Sequence, residues 1–344
     1  MPSIFDGFLK KSEPKSEPKP APQKKHPELD PKTLSTRPDL APHWLPQLEK
    51  ERVTAHKGGM HPTTAKVSAL DGRKVFLKCI DFYTTYTREK QAFVDGALRI
   101  QPLHHPHLVH VVGFSLVSYG TTFCVALEYM EKGSLATCLV DPRFDWTDKH
   151  LPWQMCLEMA MGIHYLHSRH VAYEGISPSK VLVNASHQCK WNVQHLMHRE
   201  IDAVAEPGAP AITPSGEYDR FGTGELCYAA PESLDRHRSS YDPFAADVYS
   251  LAIVFGQVLS KLKPYADMYA ELGFAGGDVY LAQSSKVAES RYTPFPASVV
   301  DTWPHAFQSL MRQCLSKDPA ARPPIENVVH ALVPLAERNT HLHA

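Results

Sequence analysis

The chain has 344 residues, 43% of them hydrophobic, and a formal net charge of −1 at pH 7. This length suits one large domain, or two lobes with a tail, and the hydrophobic content is enough for a sizeable core. The near-neutral charge excludes bulk electrostatic attraction to nucleic acid or to acidic membranes.

The seven cysteines are scattered along the chain and include no Cys-x-x-Cys pair. This spacing favours reduced thiols over a disulfide framework or a zinc site, and it predicts a cytoplasmic protein, with the nucleus as the other compartment. No apolar run predicts a membrane span, and the N-terminus lacks the hydrophobic segment of a secretory signal. We therefore expect a soluble protein whose partners are proteins rather than membranes or nucleic acids.

Residues 1–45 are predicted to form a disordered tail rich in lysine, proline and glutamate. The segment contains "SEPKSEPKPAPQKKHPELDPK", with "SEPK" twice in tandem and almost nothing apolar. Prolines remove backbone donors, and so little apolar surface cannot offset the entropy lost on ordering. We expect ordered structure to begin between Leu40 and Leu48.

Two patterns follow the tail. Over residues 46–130, short alternating runs such as "KVFLKCI" and "TFCVALEYM" predict strands, with Asp71-Gly72 as a turn and one helical stretch between them. Over residues 131–340, the apolar spacing becomes helical, as in "LPWQMCLEMAMGIHYLHSR" and "AADVYSLAIVFGQVLSKL". The fold class predicted is α+β, with a small β-rich lobe followed by a larger, mainly helical lobe.

Six segments, in order, resemble the motifs of the protein kinase domain, closest to its tyrosine-kinase-like branch. They are "VFLKCI", "LHHPHLVHVVGF", "LEYMEKGSL", "YAAPESL", "AADVYSLAIVFGQVL" and "MRQCLSKDPAARPPIENVV". The resemblance covers roughly residues 50–338. It implies a bilobal fold with ATP bound between the lobes, and a chain that belongs to signal transduction.

The catalytic loop implied by this resemblance has the family's outline and different contents. Pro178 and the following "VLV" set the register, which places Tyr173, Glu174 and Gly175 where the family has histidine, arginine and the base aspartate. Phosphoryl transfer needs a carboxylate to orient the attacking hydroxyl, and Gly175 has no side chain. Lys180 occupies the position of a magnesium-binding asparagine, although an ammonium group has only donors. No catalytic residue is therefore predicted.

The second metal ligand of the family is also replaced. Alignment of "CKWNVQHLM" places Val193 at the metal-binding aspartate, with Asn192 one position away. Valine cannot ligate magnesium, so neither protein anchor for the metal is retained, and we predict no metal site. His164, His167 and His170 are spaced three apart and drift across a helix face, and no carboxylate or cysteine joins them.

The resemblance implies a degenerate nucleotide pocket. Lys78 corresponds to the ATP-binding lysine, and Gly58 is the one glycine at a matching place in the glycine-rich loop. The helix position whose glutamate should pair with Lys78 is Gly96, with Asp95 beside it. The implied hinge follows the gatekeeper Leu127 and runs from Glu128 to Met130, so we assign Lys78, Gly58, Glu128, Met130 and Lys180 to this pocket. ATP binding is expected to be weak and independent of magnesium, and no cofactor is required.

Three further residues are assigned structural roles by the resemblance. Glu232 and Arg322 should form a buried ion pair in the helical lobe, and Asp247 belongs to the long central helix. Four residues of the implied activation segment are candidate phosphorylation sites, with a regulatory role: Thr213, Ser215, Tyr218 and Thr223.

The sequence therefore predicts a pseudokinase that acts as a scaffold or as an allosteric partner, with an active kinase as one possible partner. The alternative is an unorthodox Ser/Thr or Tyr protein kinase in which Asn192, Glu174 or Asn184 replaces the lost ligands. A third interpretation is an adaptor whose "SEPK" repeats bind a partner, while the folded domain only presents them.

Overall fold

The computed structural model describes residues 29–53, 63–85, 87–197, 225–234, 241–281 and 292–337. Along these residues a β-rich lobe comes first and a larger, mainly helical lobe follows. The α+β class and the two-lobed order predicted from the sequence are confirmed.

Four antiparallel strands form the sheet of the first lobe, in the order β1-β2-β4-β3. They are β1 (Thr63–Leu70), β2 (Arg73–Asp81), β3 (Val111–Val117) and β4 (Thr122–Glu128). Asp71 and Gly72 both have positive φ, 48° and 78°, which is what a two-residue hairpin turn requires between β1 and β2. The second lobe adds a two-stranded sheet of β5 (Val181–Val183) and β6 (Cys189–Trp191).

The helices are mostly in the second lobe. In the first lobe they are α1 (Pro31–Leu34) and α2 (Thr87–Ile100). In the second lobe they are α3 (Leu135–Val140), α4 (Leu151–Ser168), α5 (Gln194–Met197), α6 (Pro231–Leu234), α7 (Pro243–Ser260), α8 (Ala266–Leu281, kinked at Gly273), α9 (Ala297–Val300), α10 (His305–Cys314) and α11 (Ile325–Glu337). Short 3₁₀ helices span Ala41–His43, Pro46–Lys50, Pro178–Lys180, Leu226–Tyr228 and Pro319–Ala321.

Residues 29–53 pack along the first lobe, and we call them the N-terminal strap. Leu34, Leu40 and Leu48 are fully buried there. The Leu45 amide donates to the Phe114 carbonyl over 2.7 Å, so the strap covers the outer edge of β3. Ordered structure therefore begins before residue 45, where we had expected the tail to end, because leucines spaced several residues apart among prolines can still reach the apolar clusters on both faces of the sheet.

The two faces of the sheet join different parts of the core. One face packs against α2, in a cluster that includes Ile80 and Val125. The other face contains Cys79 and Cys124, which lie directly opposite each other on β2 and β4 and are joined in a disulfide. We had expected reduced thiols throughout, and for this pair the structure differs. Spacing along the chain could not show strand register, which is what brings the two sulfurs together.

The second lobe is built around α4 and α7. Helix α7 is apolar on nearly all sides, so it meets a membrane-span criterion of length and hydropathy. In the structure, however, 67% of this helix is buried inside the fold. Core helices of folded domains meet the same criterion. Asp247, on α7, is almost fully buried and faces the loop that follows α4.

Candidate functional site: the loop after α4 and its surroundings

Asp247 anchors the catalytic-loop segment, residues 173–180. Its carboxylate accepts the backbone N–H of Tyr173 over 2.6 Å and that of Glu174 over 2.7 Å. The same carboxylate lies 2.9 Å from Nε2 of His167, at the end of α4. Hydrogen bonds from backbone donors to a buried carboxylate are strong, so they define the path of the loop. His167 therefore takes part in anchoring the loop through a carboxylate of α7, a contact that the spacing of the histidines did not indicate.

The tip of the loop has an unusual backbone, and the position implied for the base aspartate carries no acid. Glu174 and Gly175 both have positive φ, 49° and 65°, and the side chain of Tyr173 is fully buried between the loop and β6. The Tyr173 hydroxyl donates to the Asn192 carbonyl over 3.0 Å. A bulky phenol therefore fills the space behind the tip, and Gly175 contributes only backbone.

Lys180 connects the loop to β5. Its backbone carbonyl accepts the Asn192 N–H over 2.8 Å, which ties the loop to the segment after β6. Within the described residues, the Lys180 ammonium has no hydrogen bond or ion pair. An unpaired cation is present where the family places a ligand for a metal cation, so the local charge is opposite to what magnesium needs.

The position implied for the second metal ligand is also closed. Val193 is fully buried, and its carbonyl accepts the Leu196 N–H in the first turn after β6. The neighbouring Asn192 uses its side-chain oxygen to accept the Gln194 N–H over 3.1 Å, at the start of α5. This bond occupies one lone pair of the Asn192 oxygen and holds the side chain at the start of α5.

The other proposed replacement ligand, Asn184, is committed to a turn. Its side-chain oxygen accepts the N–H groups of Ser186 and Gln188, each over 3.0 Å. Its amide nitrogen donates to the Gln188 side chain. Over the described residues, no group of three or more His, Cys, Asp or Glu side chains is arranged to hold a metal ion.

Helix α5 lies between α2 and the loop and contacts both. A Cβ atom added at Gly96 of α2 would lie 2.3 Å from the Met197 carbonyl oxygen, which no side chain tolerates without movement of the backbone. On the other side, Nε2 of His195 lies 2.8 Å from the Glu174 carbonyl. The glycine at position 96 is therefore required by the packing of α5, and a glutamate there could not keep this arrangement.

Lys78 consequently lacks the carboxylate that the family supplies. It lies on β2 opposite Val125, on the sheet face that α2 covers. Burial lowers the pKa of its ammonium group below the ordinary value. Asp95, the nearest substitute by sequence, instead accepts from the Gln91 side chain over 2.7 Å. Within the described residues, no ion pair or hydrogen bond engages the Lys78 ammonium.

The implied hinge is present, but its acidic side chain, that of Glu128, is paired with Lys190. Both carboxylate oxygens of Glu128 lie 2.8 Å from the Lys190 ammonium, and one of them accepts the His110 N–H over 2.7 Å. Leu127 is fully buried and Met130 nearly so. The Glu128 side chain therefore joins β4 to β6, and only its backbone is left to line the pocket to which we assigned it.

Glu225 is a residue of this site that sequence reasoning missed. Its carboxylate accepts from the hydroxyls of Ser177, over 2.8 Å, and Ser179, both on the loop. The resemblance assigns roles to residues of the loop, but it assigns none to the segment that faces the loop and contains Glu225. Two serines flanking Pro178, and an acid six residues before the "PE" of "YAAPESL", are the only signals that could have indicated the contact.

Glu232 and Arg322, expected to meet, form a bidentate ion pair. Nη1 and Nη2 of Arg322 lie 2.5 and 2.9 Å from the two carboxylate oxygens, and both side chains are buried. Arg322 also donates to the carbonyls of Ala245 and Ser316. The pair joins α6, the start of α7 and the segment before α11.

Five predicted site residues lie outside the described residues. They are Gly58 of the nucleotide pocket and the candidate phosphorylation sites Thr213, Ser215, Tyr218 and Thr223. Their assignments therefore stay predictions from the sequence.

Comparison with known proteins identifies the family. Residues 55–332 match the family of protein tyrosine and serine/threonine kinases, and because the match covers most of the chain, the chain belongs to this family. It is 28% identical over 230 residues to "Probable serine/threonine-protein kinase drkD" of Dictyostelium discoideum, covering 66% of this chain and 15% of that protein. It is 24% identical over 253 residues to human mitogen-activated protein kinase kinase kinase 7, covering 72% of this chain and 36% of that protein. The chain thus spans well under half the length of either relative.

Proposed function

We propose that this kinase-family domain is a pseudokinase, which acts as a signalling scaffold or allosteric partner rather than by phosphotransfer. One observation carries the proposal. The three positions that should supply the base and both metal ligands are occupied by Gly175, Lys180 and Val193, and the backbone around them is anchored by its own hydrogen bonds. None of these side chains can orient a hydroxyl or bind a divalent cation.

The residues present do not fit a magnesium ion. Magnesium requires oxygen ligands, and Val193 has none, whereas the Lys180 side chain carries a positive charge. The Asn192 side-chain oxygen already accepts the Gln194 N–H. We therefore derive no catalytic step through a metal.

The contact between α2 and α5 supports the same proposal. An active kinase pairs its ATP-binding lysine with a glutamate on the equivalent of α2. Here Gly96 occupies that position and packs against the Met197 carbonyl. Restoring the glutamate would require α5 to move away, so loss of the ion pair and the position of α5 belong to one arrangement.

Nucleotide binding is proposed to be weak and independent of magnesium. Leu127 and Met130 keep the apolar character of an adenine pocket, and the ammonium groups of Lys78 and Lys180, which have no partner among the described residues, suit phosphate oxygens. No cofactor is required for the scaffold role. The test is a thermal shift with ATP, with and without magnesium: we expect a small shift that magnesium does not enlarge, and a strong magnesium-dependent rise would contradict this geometry.

The proposal is tested directly by phosphotransfer. Purified protein with labelled ATP and magnesium should phosphorylate neither itself nor a peptide above the level of a Lys78→Met control. Base and metal contributions to such reactions are each worth several kcal/mol, so their combined loss should leave no measurable rate. Lysine-dependent incorporation of label would reject the pseudokinase proposal.

The alternative is an unorthodox protein kinase that transfers phosphate from ATP to Ser/Thr or Tyr. One observation supports this alternative: the Glu225 carboxylate contacts the loop, where it accepts hydrogen bonds from Ser177 and Ser179. Asn184 is less suited, because its side chain is bonded within its turn. If phosphotransfer is found, Glu225→Gln should abolish it together with Lys78→Met; a fully active Glu225→Gln would exclude Glu225 as the replacement acid.

The partners proposed are cytoplasmic proteins, an active kinase among them, although the nucleus is also compatible. The adaptor interpretation, in which the "SEPK" repeats bind the partner, is tested by deleting residues 1–28, because this truncation leaves the N-terminal strap intact. Retained partner binding would assign recognition to the folded domain. Phosphomimetic changes at Thr213, Ser215, Tyr218 or Thr223 test regulation, and no change in binding or melting temperature would remove that idea.

A further inference from the structure

The first lobe contains a covalent link that no catalytic role explains. Cys79 of β2 and Cys124 of β4 are register partners in the antiparallel ladder, 45 residues apart in sequence, and are joined in a disulfide. The other five cysteines are buried, and none of them forms a disulfide within the described residues. The link closes a loop that contains α2 and β3.

The disulfide lies on the sheet face that the N-terminal strap covers. Both cysteines are fully buried, in a cluster with Leu48 and with the strap residues Leu45 and Val53 against it. Leu34, at the other end of the strap, belongs to the separate cluster under α2. The sulfurs are therefore shielded by the later half of the strap, residues 45–53.

The end of the strap is held by Ser118 and by Lys66 of β1, whose ammonium lies 2.6 Å from the Glu51 carboxylate and donates to the Arg52 carbonyl over 2.9 Å. The Ser118 N–H donates to the Glu51 carbonyl over 2.9 Å, and the Val53 N–H donates to the Ser118 hydroxyl over 2.9 Å. The Arg52 guanidinium lies 3.5 Å over the exposed ring of Tyr119. These contacts are part-buried or exposed and all lie within the first lobe, so this end can open without unfolding the helical lobe.

We propose that Cys79–Cys124 is a thiol–disulfide modification site and that residues 45–53 of the strap are the lid that controls access to it. The reacting partner is a dithiol reductant. Its thiolate attacks one cysteine sulfur, the S–S bond breaks, and the other cysteine leaves as a thiolate that takes up a proton. The second reductant thiol then attacks the mixed disulfide and releases the first cysteine, so two electrons and two protons pass to the protein and the reductant becomes a disulfide.

Reduction of the disulfide should affect the candidate nucleotide site, because both cysteines are close in sequence to residues of that site. Cys79 follows Lys78 directly, and Cys124 lies three residues before Leu127 at the hinge. The bond holds these two strands in one register, and breaking it restores freedom to a 45-residue loop. We expect the reduced protein to melt about 5–10 °C lower than the oxidised protein. Amide exchange should increase in β2 and β4 and stay unchanged in α4 and α7.

Counting thiols tests the site itself. Protein kept free of reductant is denatured and alkylated with iodoacetamide, and its mass should show five modified cysteines, rising to seven after dithiothreitol. The Cys79→Ala/Cys124→Ala protein should show five with or without dithiothreitol, and its melting temperature should not respond to the reductant. Seven modified cysteines in the untreated wild type would overturn the proposal.

Two leucine variants test the lid. Leu34 and Leu48 are both fully buried strap residues, but only Leu48 packs in the cluster with the cysteines. Leu48→Ala should raise the rate of reduction by dithiothreitol in the native protein at least tenfold, whereas Leu34→Ala should leave it within about twofold once both rates are corrected for measured unfolding rates. Equal acceleration by the two variants would mean that global opening, and not the lid, controls access.

Discussion

The catalytic-loop segment and the ion pair between Glu232 and Arg322 lie in the same lobe, and they differ in what they retain. At the loop, the backbone is anchored by Asp247, whereas Gly175 occupies the position that the resemblance implies for the base aspartate. At the ion pair, both charged side chains are present and bonded through two hydrogen bonds. Under the proposed function, side chains that serve only chemistry are replaced at the loop, whereas the contacts that hold the backbone are kept in both places.

The largest effect is expected when the ion pair between Glu232 and Arg322 is broken. Arg322→Ala should destabilise the protein by about 3–5 kcal/mol, because it leaves the buried Glu232 carboxylate unpaired. Glu232→Ala should cost a similar amount. The double variant should cost much less than the sum, since neither charge is then left alone. Denaturant melts of the four proteins measure this coupling, and additive losses would show that the pair contributes no interaction energy.

A smaller effect is expected at the contact between α2 and α5. Gly96→Ala should cost about 1–3 kcal/mol, because the new Cβ would overlap the Met197 carbonyl, and backbone must move to admit it. Amide exchange of residues 194–197 should increase. The matched control is Gly276→Ala in α8, where the nearest atom lies at an ordinary 3.4 Å and the change should be neutral or stabilise by up to about 1 kcal/mol. Equal behaviour of the two variants would contradict the packing.

Acid should weaken the junction between the α2–β3 connection and α4. Burial, with His107 and His164 nearby, lowers the pKa of His105 to about 4, and burial also lowers the pKa of His107. An unfolded histidine has a pKa of about 6.5, so between pH 6.5 and 4 the unfolded chain binds more protons than the folded one, and stability falls as the pH falls. After solvent screening we expect about 1–2 kcal/mol from His105.

The variant His105→Phe isolates this contribution. It retains the ring stacked on Tyr165, at 4.9 Å between centroids, and removes the titrating group. Urea melts at several pH values should show a shallower loss of stability between pH 6.5 and 4 than in the wild type. Replacement of the exposed His330 by glutamine should leave the pH profile as it is. An unchanged slope in His105→Phe would assign the acid sensitivity to other groups.

The smallest effect on stability is expected at Lys78, in the candidate nucleotide pocket. Lys78→Met should change the free energy of unfolding by less than about 0.5 kcal/mol, because no described partner would be left unpaired and the methionine stem can fill the same half-buried position. A loss of several kcal/mol in a urea melt would mean that the lysine supports the fold. In that case it would no longer serve as a control for nucleotide chemistry alone.

Much of the fold was predictable because its signals are local. The Asp71-Gly72 turn, the alternation of β2, the short apolar run of β4 and the apolar periodicity of α4 are each readable within a short window. The ion pair was expected only through the family resemblance, because Glu232 and Arg322 are 90 residues apart. The extent of the strap was not predicted, because three leucines among prolines and charges resemble a solvated segment until the sheet edge that buries them is known.

By itself the sequence determined the order of the two lobes and the residue types at the loop tip, because periodicity and side-chain chemistry are properties of the chain. It therefore already established that Gly175, Lys180 and Val193 could not bind a divalent cation. Only the tertiary structure decided which distant groups meet: Glu225 with Ser177, Gly96 with the Met197 carbonyl, and Cys79 with Cys124. The physical reason is that such contacts depend on strand register and on how helices pack, to within an ångström, and neither is encoded in any short window of the sequence.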